Sequence, residues 1–499
     1  VYVTGLSLGS GTGIDIVTLK YNPLTGDTIW VTRYNGSGAL EDKPTAIVTD
    51  NLFVYVTGWS ILPSTSRDIV TIKYNALTGV VVWARSHNGN NNGGDYGFSI
   101  AVDGSGNVYV TGRSDVLPGA QKYTTLKYDA SGNLASGWPS VYTGPLSTIY
   151  DEAHSIKIDA SGNSYVTGIA GYTTVQDFLT LKINGSGVVQ WAKRHNGNQN
   201  LEDNAVELVL DGTPNVYACG YSFRFGGVQD YLVIKYSGAT GDSLAAATYN
   251  NSPVNNIDAI TAAAIDASAN VYVTGYSIGT SGNFDYLTIK YNSNLAQQWL
   301  SRYVGPAGIY LPTSIAVLNG LVFVTGLSQG AGSGYDFLTV KYNADGSQAG
   351  TIRDNGSSNG NDYATSIAVD ASENVFITGS ALFGGPSDYY TIRYSPNPFG
   401  IKPISNEIPK EFKLWQNYPN PFNPSTTINF DLPVKAFVNL IVYDVLGREV
   451  TALINENLIA GKYELKLDAS QLPNITSGVY FYKLNAGEFI DTKKMILLK

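Results

Sequence analysis

Aspartates recur at fixed positions through most of the chain, and carboxylates are side chains that can bind a cation or transfer a proton. One set opens segments such as DYGFSIAVD, in which a second aspartate follows eight residues later, and it comprises Asp42, Asp95, Asp151, Asp203, Asp258 and Asp362. A second set opens the pattern DxxTxKY and comprises Asp15, Asp68, Asp177, Asp230, Asp285, Asp336 and Asp388. Tyr310 replaces the aspartate in one copy of the first pattern, and Lys122 in one copy of the second. Because hard cations such as calcium take several carboxylate oxygens, the first set supplies candidate calcium ligands.

The same aspartates also have a structural interpretation. An aspartate at the start of a strand can accept hydrogen bonds from backbone amides, or pair with the basic residues of the repeated KY and RYNG patterns. Those basic residues include Lys20, Lys73, Lys235, Lys290, Lys341, Arg33 and Arg302. A residue that is present in every repeat is expected to stabilise each repeat, whereas a binding site requires residues that differ from one repeat to another. We therefore favour the structural role and predict no metal or cofactor, with calcium as the one candidate.

No catalytic set is recognisable in the sequence. Two of the three histidines, His87 and His195, occupy a repeated aromatic position, whereas His154 occupies a position held by different residues in the other copies. The pattern HExxH and a phosphate-binding loop are absent. Cys219 is the only cysteine, so no internal disulfide can form, and we expect it to be a small buried side chain. We predict that the protein is not an enzyme.

Aromatic residues fall into two classes by position. Five tryptophans precede the RYNG-type pattern in their repeats, namely Trp30, Trp83, Trp138, Trp191 and Trp299. We expect them to pack between repeats rather than to form a sugar-stacking array. Trp59 and the stretch 223–225 (Phe-Arg-Phe) fall instead between repeated segments, where contact with a ligand is easier to explain.

Composition narrows the classes of partner. A formal net charge of −9 over 499 residues argues against nucleic acid or an anionic membrane as the partner. No run of eighteen apolar residues predicts a membrane span. Charged residues make up only 14%, while Gly (54) and Tyr (35) are abundant, which favours strands and tight turns. Because Val1 falls inside a repeated phrase, we expect a processed or truncated chain.

The phrase NVYVTG recurs with variations, and its closing glycines are Gly5, Gly58, Gly112, Gly168, Gly220, Gly275, Gly326 and Gly379. These glycines are 51 to 56 residues apart. The phrase is segment B. Segment A, which opens with the first aspartate set, precedes it, and segments C (DxxTxKY) and D (such as WVTRYNG) follow. All four are short and rich in Val, Ile, Thr and Tyr, which predicts strands. Four-stranded units with a period near fifty predict an all-β fold, a β-propeller.

This part of the chain, about residues 1–395, resembles the SBBP class of bacterial propeller repeats. Segments B and C occur eight times, but A and D only seven. An eight-bladed ring without its first two strands is favoured, and a seven-bladed ring with two surplus strands is the alternative. An unfilled blade leaves a strand edge that can pair with another chain. The A–B and C–D turns are short, so the longer B–C and D–A connections share the face that we expect to bind ligands.

A second domain follows the repeats. Residues 396–410 are rich in Pro and polar residues and predict a linker, and residues 411–499 predict a small β-sandwich. The motifs NYPNPFNPSTTI, VYDVLGREV, SGVYFYKL and KKMILLK resemble the type A C-terminal sorting domain of the type IX secretion system of Bacteroidota. The resemblance implies a secretion signal that includes Asn417, Tyr418, Pro419, Asn420, Pro421, Gly447, Gly478, Tyr480, Lys493, Lys494 and Lys499. It also implies recognition by the type IX machinery, export across the outer membrane and a secreted or cell-surface location.

Two classes of function remain open. The favoured one is an exported, non-enzymatic propeller that acts as a structural subunit of a filament or layer, or as an adhesin. It implies a homo-oligomer or polymer formed by strand pairing, or an extracellular glycan as partner. The alternative is a secreted carbohydrate-active or polymer-degrading enzyme, or a glycan-binding module. That alternative predicts one cluster that departs from the repeat and gathers acids or a histidine.

Overall fold

The structure is a computed structural model, and it contains strands and turns but no α-helix in the residues that it describes. Those residues are 1–38, 40–117, 120–144, 150–172, 175–197, 201–251, 257–279, 282–305, 308–329, 334–356, 360–382, 387–394, 401–405, 408–434, 436–458, 460–469 and 475–498. Thirty strands form eight successive antiparallel sheets within them, followed by two sheets of a C-terminal unit. The all-β propeller fold predicted from the repeats is thus confirmed.

The eight successive sheets, each written in its order of pairing, are β1 (Tyr2–Gly9), β2 (Gly13–Tyr21), β3 (Thr28–Tyr34); β4 (Asp42–Thr49), β5 (Phe53–Ile61), β6 (Arg67–Asn75), β7 (Val81–His87); β8 (Tyr96–Val102), β9 (Val108–Leu117), β10 (Ala120–Tyr128), β11 (Ser140–Tyr142); β12 (Glu152–Ile158), β13 (Ser164–Tyr172), β14 (Val175–Ile183), β15 (Val189–His195); β16 (Asp203–Leu210), β17 (Val216–Arg224), β18 (Val228–Tyr236), β19 (Ser243–Tyr249); β20 (Asp258–Ile265), β21 (Val271–Ile278), β22 (Phe284–Tyr291), β23 (Gln297–Tyr303); β24 (Tyr310–Leu318), β25 (Leu321–Gln329), β26 (Tyr335–Tyr342), β27 (Gln348–Asp354); and β28 (Tyr363–Val369), β29 (Val375–Leu382), β30 (Ser387–Tyr394). The first sheet has strands of types B, C and D, and the last has types A, B and C.

In the six four-stranded sheets of the propeller, strands of types B and C lie in the middle and are largely buried on both faces. In β5 and β6 all the residues except those at the ends are buried. Because neighbouring sheets cover both faces, these strands are continuous runs of Val, Ile, Thr and Tyr instead of alternating polar and apolar residues. Type D strands such as β7 lie outermost, and three of the seven residues of β7 are exposed.

The A–B turns are built by their aspartates, as the DGSGN turn shows. Asp103 Oδ1 accepts hydrogen bonds from the amides of Ser105 (2.9 Å) and Asn107 (3.0 Å), and Oδ2 accepts from the Asn107 side chain (2.8 Å) and the Tyr109 hydroxyl (3.1 Å). Gly106 takes a φ of 77°, which a residue with a Cβ rarely adopts. All the acceptor capacity of the carboxylate is directed at the turn, so this segment is a turn and not a cation loop.

Lysines of type C strands tie neighbouring sheets together at the turn face. Lys20 Nζ donates to the carbonyl oxygen of Ala76 in the next sheet (2.8 Å), and Trp30 Nε1 donates to the same oxygen (3.3 Å). Equivalent lysine bonds run from Lys73 to Ala130, from Lys182 to Gly238 and from Lys235 to Ser293. Lys341 instead pairs with Glu373, and Lys290 lies over the Tyr272 ring. The prediction that these lysines pair with the strand-opening aspartates is wrong.

The last sheet contacts the first in the same way as any other neighbouring pair. The Tyr231 hydroxyl donates to the carbonyl oxygen of Leu287 in the next sheet (3.1 Å), and the Tyr389 hydroxyl donates to the equivalent carbonyl oxygen, that of Val17 (3.4 Å). A Cβ added to Gly5 would lie 2.5 Å from the Tyr389 ring. The eight sheets therefore close into a ring.

The C-terminal unit has two four-stranded sheets. One pairs β31 (Ile401–Ser405), β36 (Gly461–Asp468), β33 (Ser425–Leu432) and β32 (Lys413–Leu414), and the other pairs β35 (Glu449–Leu458), β34 (Ala436–Tyr443), β37 (Gly478–Ala486) and β38 (Phe489–Leu497). Buried residues of both sheets, such as Phe430 and Leu465 in one and Leu440 and Tyr482 in the other, form one core. Because β31 pairs with β36, this unit begins before residue 411, inside the segment predicted as a linker.

Candidate binding site at the long-loop face

The first aspartate set binds backbone amides, as the structural interpretation predicts. Asp42 accepts from the Gly36 amide (2.8 Å), and Asp95 accepts from the amides of Gly89 (2.6 Å) and Asp115 (3.0 Å). The other members accept in the same way, Asp151 from Gly171, Asp203 from Gly197, Asp258 from Asn251 and Asp362 from Leu382. These carboxylates are buried and fasten loops of the long-loop face to the start of strand A.

The second aspartate set pairs mainly with arginines. Arg33 Nη1 lies 2.9 Å from Asp15 Oδ2, and Arg302 Nη1 lies 3.2 Å from Asp285 Oδ2, which confirms both predicted arginine partners. Further arginine pairs join Arg194 to Asp177, Arg224 to Asp230 and Arg353 to Asp336.

The structure does not gather the candidate calcium ligands. The first-set aspartates lie at separate interfaces between sheets. The second-set aspartate of the preceding sheet acts as a like charge that raises the pKa of Asp42, Asp95, Asp258 and Asp362. In the part of the chain that the structure describes, no three His, Cys, Asp or Glu side chains are arranged to hold a metal ion.

The interface between the third and fourth sheets replaces this pair of like charges by a salt bridge. Lys122 Nζ lies 2.7 Å from Asp151 Oδ2, and the two side chains are 1% and 2% exposed. Lys122 stands where other sheets have a second-set aspartate, so its opposite charge neutralises Asp151. The lysine that replaces the second-set aspartate therefore neutralises the charge of Asp151. Because both side chains are buried, this ion pair is not accessible to a ligand.

Burial raises the pKa of other strand-opening carboxylates. It raises the pKa of Asp95 to about 6, although the amide hydrogen bonds to this carboxylate act in the opposite direction. It also raises the pKa of Asp177 to about 6, against the effect of Arg194. The turn aspartate Asp211 behaves in the reverse way: burial alone would raise its pKa, but hydrogen bonds from Thr213 and Asn215 lower it to about 2.

We expect the propeller to be most stable near about pH 4. Asp95 and Asp177 bind protons more tightly when folded, so their stabilising contribution is complete below about pH 4 and lost as the pH rises through about 6, by at most about 3 kcal/mol each. Asp211 contributes above about pH 4 and loses its contribution as the pH falls towards about 2. Denaturant midpoints measured between about pH 3 and 8 should form a maximum, and Asp95→Asn should flatten its alkaline side. A midpoint unchanged between about pH 5 and 7 would contradict this assignment.

Two positions at the long-loop ends of strands A and B differ from sheet to sheet, although the rest of the repeat is uniform. The residue after the closing glycine of strand B is Leu6, Trp59, Arg113, Ile169, Tyr221, Tyr276, Leu327 or Ser380. Its cross-strand neighbours in strand A are Lys43, Tyr96, Glu152, Asn204, Ala259, Leu311 and Tyr363 for the second to the eighth sheet. Directly opposed residues lie on one face of a sheet. This variation is the asymmetry that a binding site needs.

Arg113 occupies the variable position of strand B in the third sheet. Its guanidinium carbon lies 4.3 Å from the ring centre of Tyr96 and 4.5 Å from that of Tyr150, which precedes the first strand of the fourth sheet. Its Nη1 donates to Glu152 Oε2 at 2.6 Å, and both side chains are 14% exposed. Its Nε is buried and has no hydrogen-bond partner among the described residues. A buried donor without a partner costs about 1–3 kcal/mol, so the site keeps a donor available at an energetic cost.

Glu152 is held by donors on both oxygens. Oε2 also accepts from the Tyr150 hydroxyl, and Oε1 lies 3.1 Å from His154 Nε2. His154 Nδ1 lies 2.6 Å from the carbonyl oxygen of Ala205. Since a carbonyl oxygen only accepts, Nδ1 carries the hydrogen of its contact with Ala205.

Trp59 extends the cluster into the second sheet. The guanidinium carbon of Arg67 lies 4.8 Å from the ring centre of Trp59, Lys43 Nζ lies 5.5 Å from it, and the Tyr96 ring centre lies 6.0 Å away. Trp59 belongs to β5 and Phe223 to β17, so the prediction that both lie in loops is wrong; only Phe225 lies beyond the strand and is exposed. We define the arginine–aromatic array as Trp59, Arg67, Tyr96, Arg113, Tyr150, Glu152 and His154.

Part of this array was visible in the sequence. Trp59 and His154 stood out there, but Arg113, Tyr150 and Glu152 did not. Arg113 and Glu152 carried a usable signal, because each is a charged residue at a position that varies among the repeats. Tyr150 carried none.

The C-terminal unit uses its first motif to hold its last strand. Asn420 Oδ1 accepts from the Ile496 amide (2.9 Å), and its Nδ2 donates to the Lys494 carbonyl oxygen (3.1 Å). Asn417 is buried and donates to Thr426 Oγ1 (2.9 Å). Tyr418 is 81% exposed and remains available to a partner.

Family models match segments of both the propeller and the C-terminal unit. Residues 416–498 match the model described as a secretion system C-terminal sorting domain, and residues 89–117 match the model described as a β-propeller repeat. The chain thus contains a β-propeller repeat and a C-terminal secretion-system sorting domain. Sorting domains of this kind mark proteins that the type IX system exports to the cell surface or the extracellular space, so the protein is exported and interacts with that machinery.

The predicted signal residues of the sorting domain have different surroundings. Gly447 has a φ of 76° in the turn that follows Asp444, and the Tyr480 hydroxyl donates to the Thr476 carbonyl oxygen (2.9 Å). Lys493 pairs with Asp491 (2.9 Å). Pro419, Pro421, Gly478 and Lys494 belong to the described motif and strands, whereas Lys499 lies outside the described residues.

Solved structures resemble the chain at low identity. A quinohemoprotein alcohol dehydrogenase from Comamonas testosteroni is 12% identical, with a TM-score of 0.46 over 81% of this chain and 75% of its own. The polysaccharide lyase Uly1 is 12% identical, with a TM-score of 0.42 over 75% of this chain and 94% of its own. No curated protein matches the chain. Among the described residues, no helix has the length and apolar character needed to cross a membrane.

Proposed function

We propose that this exported propeller is a non-enzymatic adhesin that binds an acidic extracellular polysaccharide through the arginine–aromatic array. The observation that carries the proposal is Arg113, which lies between two tyrosine rings and keeps a buried Nε without a partner among the described residues. Aromatic faces with a guanidinium between them suit a sugar ring that bears an anionic group.

The charge of the array favours an anionic partner. Lys43, Arg67 and Arg113 lie within 6 Å of its rings, whereas Glu152 is its one carboxylate. The chain as a whole has a formal net charge of −9, so this local excess of positive charge is a departure from the surface average. Electrostatic attraction would direct a uronate- or sulfate-bearing polymer to this part of the molecule.

Hydrogen bonding within the array favours binding over catalysis. Glu152 accepts from Arg113, Tyr150 and His154, and both ring nitrogens of His154 are engaged. A general acid or base must be within hydrogen-bond reach of the substrate proton. Here both groups are committed to protein partners, and the polymer-degrading alternative would have to break these bonds.

The test is binding of the full chain to polygalacturonate and to the same polymer after carboxyl reduction. We expect saturable binding to the acidic polymer only. Arg113→Gln should raise the Kd at least about tenfold, because a charge-assisted hydrogen bond contributes about 1.5–3 kcal/mol. Arg448→Gln removes the same charge from an exposed position in the sorting domain and should leave the Kd unchanged.

Three outcomes would contradict the proposal. Equal binding to the reduced polymer would exclude charge recognition, and equal Kd values for both variants would exclude the array. Shortening of the polymer during incubation would favour the enzymatic alternative. Arg113→Lys keeps the charge without the planar fork, so it separates loss of recognition from loss of folding.

A structural role in a filament or layer is the second candidate. The outer edge of β30 favours it, because no strand in the described part of the chain pairs with that edge. Electron microscopy of the purified chain should then show ordered polymers in which this edge is covered. Single closed rings at high concentration would exclude the structural role and leave the adhesin proposal untouched.

A further inference from the structure

The hairpin of β17 and β18 carries an aromatic face at the long-loop end of the fifth sheet. Residues 225–227 connect the two strands, and both glycines of this connection take positive φ values, 91° and 79°. The Phe223 amide donates to the Glu202 carbonyl oxygen (3.0 Å), which ties the hairpin to the segment before β16. The hairpin is therefore a tight, anchored support for the side chains that it presents.

Two aromatic rings and two carboxamides share one face of this hairpin. Tyr221 is directly opposite Asn204 in β16, and Phe223 is directly opposite Gln229 in β18. Directly opposed residues, and residues two apart on one strand, lie on the same face of a sheet. The ring centres of Tyr221 and Phe223 are 5.9 Å apart, with the rings inclined at 63°.

The sixth sheet supplies two further rings. Tyr231 is opposite Tyr221 and donates from its hydroxyl to the Leu287 carbonyl oxygen (3.1 Å), so this face is turned towards the sixth sheet. In that sheet the ring centres of Tyr276 and Phe284 are 5.1 Å apart. Burial raises the pKa of Tyr221 to about 12, and the nearby Tyr276 acts in the same direction. All four rings are only partly buried, so they are accessible at the long-loop face.

Both carboxamides beside these rings have an oxygen without a hydrogen-bond partner. Asn204 Oδ1 and Gln229 Oε1 are buried, and neither has a partner among the described residues. An unpaired buried acceptor lowers stability. Since each side chain as a whole is partly exposed, rotation of the carboxamide can turn its oxygen towards a ligand. A ligand that donates hydrogen bonds would satisfy both oxygens.

The charges around these rings favour a neutral ligand. Arg224 lies on the opposite face of β17 and pairs with Asp230, and Arg302 pairs with Asp285. The first-set aspartates of the fifth and sixth sheets accept from backbone amides, as described above. Glu202 is exposed and negative, and its charge also raises the pKa of the first tyrosine of the hairpin face. An anionic ligand is therefore disfavoured here, in contrast to the arginine–aromatic array.

We propose that this interface is a second glycan site, which binds a neutral β-1,4-linked glucan. We define the neutral aromatic patch as Asn204, Tyr221, Phe223, Gln229, Tyr276 and Phe284. Its rings contact the C–H groups of a pyranose whose hydroxyls are all equatorial, and its carboxamide oxygens accept from those hydroxyls. No residue of the arginine–aromatic array takes part, so this inference goes beyond the proposed function and stands independently of it.

The test is isothermal titration calorimetry of the full chain with cellohexaose, a β-1,4-linked glucose hexamer. We expect saturable binding, and slower hydrogen exchange of amides 221–229 when the sugar is present. Phe223→Leu keeps an apolar side chain but removes the ring, so it should raise the Kd at least about tenfold. Phe437→Leu is the matched control, because it makes the same change at a ring that is 51% exposed in the sorting domain. It should leave the Kd unchanged.

Gln229→Leu separates binding from folding. It removes an unpaired buried acceptor, so the denaturant midpoint should stay the same or rise, while the Kd for cellohexaose rises at least about tenfold. A lower midpoint with an unchanged Kd would assign this side chain a structural role and overturn the proposal.

Three further outcomes decide between ligands and sites. Equal Kd values for Phe223→Leu and Phe437→Leu would overturn the proposal, and displacement of cellohexaose by tetramethylammonium would assign the rings to a cation instead. Carboxyl-reduced polygalacturonate has axial substituents on its rings and should not compete with cellohexaose. Arg113→Gln should leave cellohexaose binding unchanged, and a loss in this variant would show that there is no second site. Failure of the array to bind polygalacturonate would leave these results unaffected.

Discussion

Lys122→Met is expected to lower the free energy of unfolding of the propeller by about 3–5 kcal/mol at neutral pH. Lys122 Nζ and Asp151 Oδ2 are 2.7 Å apart, and both side chains are almost completely buried. Methionine fills a similar volume but leaves Asp151 as a buried carboxylate without its counter-charge. Burial already raises the pKa of Asp151, and Lys122 acts against that shift, so its loss should also make the carboxyl bind a proton more readily. Denaturant unfolding followed by tryptophan fluorescence measures the change.

The double variant Lys122→Met/Asp151→Asn separates the ion pair from the packing around it. Asparagine keeps an oxygen that can accept from the Gly171 amide, which donates to Asp151 at 2.8 Å. Because neither charge remains, the double variant should recover most of the lost stability. Lys193→Met is the matched control: its pair with Asp242 is largely exposed, so we expect a change below about 1 kcal/mol. A comparable loss in both single variants would show that the buried pair has no special importance.

The repeat and its strands could be predicted from the sequence because they depend on local chemistry. Most A–B turns use an aspartate that accepts from nearby backbone amides, and Asp103 and Asp159 both accept from the amides two and four residues later. Each central strand needs a short run of β-branched and aromatic residues that fits between two neighbouring sheets. Such requirements recur at a fixed spacing, so they are visible without knowledge of the fold.

The lysine partners could have been excluded by strand geometry. Lys20 follows Asp15 by five positions in β2, and a strand rises about 3.3 Å per residue, so the two residues begin about 17 Å apart. Arg33 can reach Asp15 because β3 runs antiparallel and returns it to the same end of the sheet. The prediction treated all basic residues of the repeat as equivalent, whereas the direction of the strands selects the arginines.

The array and β31 could not be predicted because they depend on contacts between distant parts of the chain. Arg113 and Glu152 are 39 residues apart and come together only when two sheets lie side by side. The pairing of β31 with β36 joins segments about sixty residues apart, across a stretch whose prolines favour a linker. Neither contact has a local pattern, so sequence reasoning could at most note that Arg113 and Glu152 interrupt a uniform repeat.

Trp191→Ala is expected to destabilise the propeller by about 3–5 kcal/mol, the usual cost of removing a large buried aromatic side chain. Trp191 is 8% exposed and lies between the Tyr165 ring at 6.1 Å and the Tyr236 ring at 6.3 Å. Its Nε1 donates to the Gly238 carbonyl oxygen at 3.3 Å. The substitution would remove this bond and open a cavity between the fourth and fifth sheets. Thermal and denaturant unfolding measure the loss.

Substitutions of an exposed aromatic residue and of an aromatic residue in the arginine–aromatic array test whether the type D tryptophans stabilise the fold or bind a ligand. Phe225→Ala removes an aromatic ring that is 71% exposed, so we expect a change within about 0.5 kcal/mol. If the type D tryptophans formed a sugar-stacking array, Trp191→Ala would weaken polysaccharide binding and leave stability nearly unchanged. Packing between sheets requires the opposite result, with binding unchanged once the folded fraction is taken into account. Trp59, at a position that varies among the repeats, is also 8% exposed, so its replacement by alanine should lower stability as well as binding. The position of a tryptophan in the repeat, not its residue type, then decides whether it also contributes to ligand binding.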